Sequence, residues 1–281
     1  MPTLTRTSGL GRPVTIGGVP EGHTIHRLAR RHRRLLHGQV VEVSSPQGRF
    51  AEGAAQLDGR RLEGTDAWGK HLFHRYDDWW LHIHLGLFGK FRDGALPAPE
   101  PRGALRLRLV GERSWVELRG PTACELMVDA ERDALLSRLG PDPLRKDADV
   151  EAFLARVARS RAPIATLLMD QKVIAGVGNV YRAEVLFRHG VAPLAAGRDL
   201  PGEVTAAMWD DLVGLLEDGV RAGRIVTTEP EDRERPHGRP RRVDAHYVYG
   251  RAGLPCRRCG TEILDADHVG RRLFWCPVCE A

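Results

Sequence analysis

The chain has 281 residues, 42% hydrophobic and 28% charged, with a formal net charge of +5 and a pI near 9.2. That length and balance describe a globular protein able to hold two modest domains, with a basic excess that favours an anionic partner. No apolar run approaches the roughly 18 residues of a membrane span, and the first 19 residues lack the apolar core of a secretory signal, so a cytoplasmic protein with no membrane partner is expected.

In chain order, residues 22–37 set Ile25, Leu28, Ala29, Leu35 and Leu36 at helical spacing against Arg27, Arg30, Arg31, Arg33 and Arg34. This predicts an amphipathic helix with a basic face. Residues 39–120 read as six short strands divided by turn signals: Val40–Val43, Arg60–Thr65, His71–Tyr76, Trp80–Leu85, Leu105–Val110 and Trp115–Leu118. That is the pattern of a β-sandwich. A surface loop is expected over 94–103, which holds three prolines and two glycines. The Gly-Pro-Asp-Pro break in Leu139–Leu144 marks a domain boundary, followed by helices near 149–160, 163–170, 180–188 and 203–222. Residues 223–245 show no periodicity and carry five arginines within 233–242. The fold class is α+β, with expected domains at 20–138, 139–245 and 246–281 after a 1–19 extension.

Cys256-x-x-Cys259 and Cys276-x-x-Cys279 are separated by sixteen residues, the spacing of a four-cysteine zinc ribbon with one structural Zn2+. A redox C-x-x-C needs a βαβ setting, which is absent. Cys124, the fifth, reads as an ordinary buried thiol.

The most informative stretch is 170–187. An apolar helix behind Pro163 runs into a Gly-x-Gly-Asn turn, and a second helix with Val180, Val185, Leu186 and Phe187 starts at once. Gly176 and Gly178 permit positive φ and close backbone approach. Successive amides there, beside a helix N-terminus and Asn179, form a phosphate site. Taken alone, the turn also reads as a packing corner. Lys172, one of only four lysines, lies in the same stretch and is a candidate contact for the anionic partner.

This segment resembles the helix–two-turn–helix of the formamidopyrimidine-DNA glycosylase and endonuclease VIII superfamily. Three further motifs follow the superfamily's order: Pro20-Glu21-Gly22, Trp68-Gly-Lys70 and the cysteine ribbon with Arg271. The resemblance implies a bifunctional DNA glycosylase and abasic-site lyase of base excision repair, a monomer acting on double-stranded DNA with an oxidised base or abasic site. Pro20 would be the N-terminal nucleophile, because an α-amino group titrates near pH 8 and a useful fraction is neutral at pH 7. Its attack at C1′ gives an iminium that cannot lose its charge by deprotonation, so β- and then δ-elimination expel the flanking phosphates. Glu21 would move protons. Lys70, His84, Asn179 and Arg271 would hold phosphates, which position without specifying. Leu87 and Phe88 would fill the gap left by a flipped nucleotide.

As written, Pro20 is internal, and a peptide-bonded proline nitrogen is an amide without a basic lone pair. Residues 1–19 are therefore expected to be a mis-assigned start, with Val19 as initiator. The Pro-Glu-Gly-His-Thr opening is similar to actinobacterial endonuclease VIII, which implies oxidised pyrimidines as substrates. His84-Leu-Gly-Leu-Phe-Gly89 is closer to the formamidopyrimidine branch, which excises oxidised purines. Thr24 stands where many members carry a second glutamate, and residues 223–245, where the resemblance implies the loop over the flipped base, match neither branch. A non-catalytic lesion-binding protein, or a bare zinc-ribbon interaction module, remains the alternative of a different class.

Overall fold

The computed structural model describes residues 20–281, which divide into two compact units. Leu28–Ala67 and His71–Arg132 make one unit, together with Pro20; Glu21–Arg27, Trp68–Lys70 and Asp133–Ala281 make the other. Val19 and the rest of the 1–19 extension lie outside the described residues.

Two antiparallel sheets build the first unit. The larger has the order β2 (Arg60–Arg61), β1 (Val40–Ser44), β7 (Leu105–Val110), β8 (Ser114–Arg119), β6 (Lys90–Ala95). The other runs β3 (Gly64–Trp68), β4 (His71–Tyr76), β5 (Trp79–His84), β9 (Ala123–Met127). Alternating residues such as Val41 and Val43, or Leu105, Leu107 and Leu109, are buried as the pleat requires. Helix α1 (Gly22–Leu36) contributes Leu28, Ala29, His32 and Leu36 to this interior. His32 Nδ1 lies 3.0 Å from His74 Nε2, and burial pushes His74 down to about 3 and His32 well below the ordinary value. Both imidazoles are thus neutral members of the core.

The expected basic face of α1 is only partly a face. Arg30, Arg33 and Arg34 are exposed, but Arg31 turns in to Asp93 on β6, with Nε at 3.0 Å. The expected strand Arg60–Thr65 is split into β2 and the start of β3, which lie in different sheets, and β6 and β9 go beyond the expectation, the β6 strand taking in the start of the anticipated 94–103 loop. Two helices, α2 (Ala51–Leu57) and α3 (Asp129–Leu136), likewise go beyond it. Gly94 and the buried Asp93 depress the strand signal of β6, and only the distant Arg31 makes that carboxylate tolerable there.

In the second unit, α4 (Val150–Ala158), α5 (Ile164–Leu167), α6 (Asn179–Arg188) and α7 (Gly202–Ala222) share one core. The α7 residues Thr205, Met208, Trp209, Leu212, Leu215, Leu216, Gly219 and Val220 form its buried stripe. It stops at Gly223, whose φ of 72° suits a left-handed cap and whose N–H donates to Gly219 O at 2.8 Å. Arg27 donates to the carbonyls of Val220 and Arg221 at 2.8 and 3.0 Å, placing a cation on the negative end of that helix. Helix α6 is buried on every side from Val180 to Phe187. One face meets the helical core; Ala183 and Phe187 pack with Tyr247, Val248, Ile263 and Phe274 beside the hairpin of β10 (Leu264–His268) and β11 (Arg271–Trp275). Among the described residues, no helix is long and apolar enough to cross a membrane.

Candidate functional site

Glycines bring three separate segments of the second unit together. The Gly22 N–H donates to Gly176 O at 2.8 Å, and a Cβ on Gly22 would meet the Gly176 Cα at 2.9 Å. A Cβ on Gly69 would meet Ala175 Cβ at 2.9 Å and Gly176 N at 3.0 Å. Only bare backbones pack this closely. Their neighbours in sequence are Glu21 and Lys70, so the packing of the glycines sets where those side chains start.

Glu21 is fully buried. Its Oε2 accepts the Gly178 N–H at 2.9 Å and its Oε1 accepts the Val180 N–H at 2.8 Å. The amides that the local motif offers to a phosphate thus hold this carboxylate instead, at the positive start of α6. Gly178 also departs from expectation. Its φ of −129° is ordinary extended backbone, and it is glycine because a Cβ would lie 2.5 Å from Glu21 Cδ. Gly176, at φ 90°, is the position that needs positive φ. Burial raises the Glu21 pKa above the ordinary glutamate value, opposed by the Lys70 charge and the backbone N–H donors. Lys70 is correspondingly lowered, first by burial, with Glu21 pulling it up and Arg271 pushing it down. Pro20 directly precedes Glu21 and is half-buried.

Two residues without a clear signal in the sequence brace this arrangement. Asp142, fully buried in the Gly-Pro-Asp-Pro break, accepts from His26 Nε2 at 2.7 Å, from the Gly69 N–H at 2.7 Å and from the Leu144 N–H at 2.9 Å. It fastens the Lys70 turn to α1. Gln171 spans the other turn, accepting from the Gly176 N–H at 3.0 Å and donating to Val177 O at 2.9 Å. The proline flanks of Asp142 are the only local signal for it; its partners are remote in sequence.

Arg271 opens β11, directly after a two-residue turn in which Val269 and Gly270 both have positive φ. Its strand is tied to α6: the Asn179 Nδ2 donates to Arg272 O at 2.9 Å, and Arg182 donates to the same carbonyl at 3.1 Å. Asn179 is therefore engaged in holding the ribbon strand that carries Arg271. The four cysteines Cys256, Cys259, Cys276 and Cys279 gather so that all Sγ atoms lie within 4.8 Å of one another. Cys256–Cys279 and Cys259–Cys276 are 3.9 and 3.5 Å apart, near the roughly 3.8 Å edge of a tetrahedral thiolate site. The set fits a metal ion.

Models of known families match this chain twice. The formamidopyrimidine-DNA glycosylase N-terminal domain covers residues 19–122, and the formamidopyrimidine-DNA glycosylase H2TH domain covers 139–230. Endonuclease 8 1 of Mycobacterium tuberculosis is 52% identical over 270 residues, covering 93% of this chain and 100% of that protein. The formamidopyrimidine-DNA glycosylase of Thermus thermophilus is 32% identical, covering 93% and 98%. The chain belongs to the formamidopyrimidine-DNA glycosylase and endonuclease VIII family. Its members are DNA glycosylases of base excision repair with lyase activity at abasic sites. Among solved structures, the MutM (Fpg) protein of Thermus thermophilus has a TM-score of 0.75 at 30% identity over 93% of this chain and 98% of that one. Lactococcus lactis Fpg, in a complex with DNA containing an abasic site, shares the fold with a TM-score of 0.77 at 24% identity over 92% and 99%.

The remaining candidates of this glycosylase fall in different places. His84 ends β5 and stacks on His71, ring centroids 4.9 Å apart. His82 on the same strand is 2.8 Å from His71 and 2.9 Å from Glu125, so it is held by hydrogen bonds and, among the described residues, joins no metal cluster. Leu87 and Phe88 sit in the turn after β5, 52% and 82% exposed. Apolar side chains that stand so far out do not serve the core. Lys172 is exposed in the second unit. Cys124 is half-buried in β9, and its thiol is pushed up to about 12 by burial, so it stays neutral at pH 7.

Gly178→Ala tests the carboxylate seat directly. The backbone accepts alanine, but the new methyl must displace the Glu21 carboxylate. We expect a loss of about 1–3 kcal/mol in denaturant unfolding, typical of overpacking, together with a fall in base excision far larger than that of Gly64→Ala, where a Cβ would meet open space.

Proposed function

We propose that this chain removes oxidised pyrimidines from double-stranded DNA and cleaves the strand by β,δ-elimination, with Pro20 as the amine nucleophile. The observation that carries this reading is the burial of Glu21, next to Pro20, between the Lys70 turn and the amides of Gly178 and Val180. An acid whose pKa is raised by burial is suited to take up and return protons near neutral pH. Lys70, depressed by burial and by the Arg271 charge, gains most from an anion, so both are assigned to the phosphates flanking the lesion. His84 and Lys172 are assigned to the DNA backbone, and Asn179 to the same surface while it anchors the ribbon. The four cysteines hold one structural zinc ion, which fixes the Arg271 hairpin and takes no part in the chemistry.

This mechanism needs Pro20 to be the first residue. The family match starting at residue 19 supports Val19 as the initiator position. The functional protein in this reading is a monomer in the cytoplasm. The 52% identity to an endonuclease 8 favours pyrimidine lesions over 8-oxoguanine.

Protein beginning at Pro20 is expected to release thymine glycol and dihydrouracil from duplex faster than 8-oxoguanine. A reversed order assigns it the purine preference instead. Leu87 and Phe88 are read as the wedge that occupies the vacated stack. Phe88→Ala is expected to lower activity on duplex by about 10-fold or more, since unstacking costs a few kcal/mol. Its thermal midpoint should stay unchanged, because the side chain is 82% exposed.

A further inference from the structure

A cavity of about 730 Å³ lies in the second unit, between α7 and the arginine-rich segment that follows it. Its carboxylates are already matched. Asp211 accepts both Nε and a terminal nitrogen of Arg188, at 2.7 and 2.9 Å, and Glu229 takes the remaining terminal nitrogen of Arg188 at 2.8 Å. Asp218 is paired with Arg221.

Three further arginines line the same space, Arg224, Arg233 and Arg239, and no carboxylate pairs with them among the described residues. Arg233 is pre-set: its Nε donates to Thr228 Oγ1 at 2.9 Å and a terminal nitrogen to Thr228 O. Thr228 is itself anchored, donating to Asp244 O at 2.6 Å. That leaves part of the Arg233 fork to face the cavity. Arg224 is lowered from the ordinary arginine value, first by burial and then by the charges of Arg239 and Arg233. Like charges gathered around one hollow repel, and an anion that bridges them removes the repulsion. Guanidinium groups prefer planar, multidentate oxyanions, phosphate above all. The volume lies within the range of ligand pockets, roughly 300–1,000 Å³, and exceeds what one inorganic ion fills.

We propose that this cavity binds a phosphate group through Arg224, Arg233 and Arg239, supplied by the backbone of bound DNA or by a free phosphate compound. The DNA source rests on the glycosylase reading above; the phosphate site does not. It is distinct from the Glu21 and Lys70 seat, whose charge partner is Arg271.

The test compares the unsubstituted protein, R224A/R239A and the charge-matched control R235A/R242A, two exposed arginines of the same segment outside the cavity wall. Inorganic pyrophosphate at millimolar concentration is expected to raise the thermal midpoint of the unsubstituted protein and of R235A/R242A by about 2 °C or more. No such rise is expected in R224A/R239A. In parallel, affinity for duplex holding an abasic-site analogue is measured from low to high salt. If DNA supplies the phosphate, the slope of log affinity against log salt becomes about 0.9 less steep in R224A/R239A than in R235A/R242A for each phosphate that the variant no longer neutralises. A pyrophosphate effect with unchanged slopes identifies a free phosphate compound as the ligand. Absence of both effects overturns the proposal, and does so without reference to Pro20 chemistry.

Discussion

Glu21→Gln is expected to cut base excision by about 10²–10⁴-fold, the usual worth of a positioned general acid or base. That corresponds to roughly 3–5 kcal/mol of barrier. Glutamine keeps the shape but offers one oxygen where the carboxylate offers two. One of the two donors now satisfied, the Gly178 or the Val180 N–H, would then face an amide NH2. An unsatisfied buried donor costs about 1–3 kcal/mol, partly offset because the variant no longer buries a charge. Activity should therefore collapse in a protein that still folds.

The pH dependence of the same pair of proteins carries a sign. The folded-state pKa of Glu21 is raised, chiefly by burial. Its carboxylate is thus lost, as pH falls, at a higher pH than for a free glutamate. The acid limb of kcat/KM should lie above the ordinary glutamate value of 4.5 and vanish from the residual activity of Glu21→Gln. For stability the direction reverses. The fold binds this proton more tightly than the unfolded chain does, so the Glu21 contribution declines as pH rises from 4.5 through the raised value. The variant's stability profile should be flatter in that window.

The second large effect concerns the cysteine cluster. Chelation, or Cys276→Ser, is expected to release one zinc per chain and to weaken binding to abasic-site DNA by about 10–10²-fold. The β10–β11 hairpin is too small to hold itself, and structural zinc contributes about 10–16 kcal/mol to such modules. Cys256 and Cys276 are also packing residues, buried with Ile263 and Phe274 against Ala183 and Phe187 of α6. Losing the metal therefore loosens the strand whose Arg272 carbonyl is held by Asn179 and Arg182. Arg271 goes with it. That one charged interaction is worth on the order of 10–10² in affinity, at about 1.5–3 kcal/mol. Elemental analysis beside a binding titration checks both halves. Full binding by a zinc-free protein would contradict the assignment.

Elements whose order is local were readable in the chain. The amphipathic stripe of α1, the helical stretch of α7, the apolar corner before α6 and the cysteine spacing are properties of neighbouring residues. What stayed hidden depends on contacts across long stretches of chain. Asp93 looks like a strand breaker until Arg31, 62 positions earlier, neutralises it. Asp142 looks like a turn residue, yet it joins His26 and Gly69, 116 and 73 positions away. Gly178 illustrates a subtler gap. Glycine in a turn suggests a special φ, whereas here it clears space for a carboxylate 157 positions distant. The same contact explains why the turn amides cradle Glu21 and not a phosphate. A side chain supplied from elsewhere in the chain competes for the donors that a local motif advertises.

The most direct test of the central claim is borohydride trapping on duplex DNA with thymine glycol or an abasic site. Protein beginning at Pro20 is compared with the full 281-residue chain, and the cross-linked residue is mapped by mass spectrometry. A covalent adduct on Pro20, formed only by the shorter protein, is the predicted result. An adduct on another residue, or DNA binding with no adduct from either form, would contradict it.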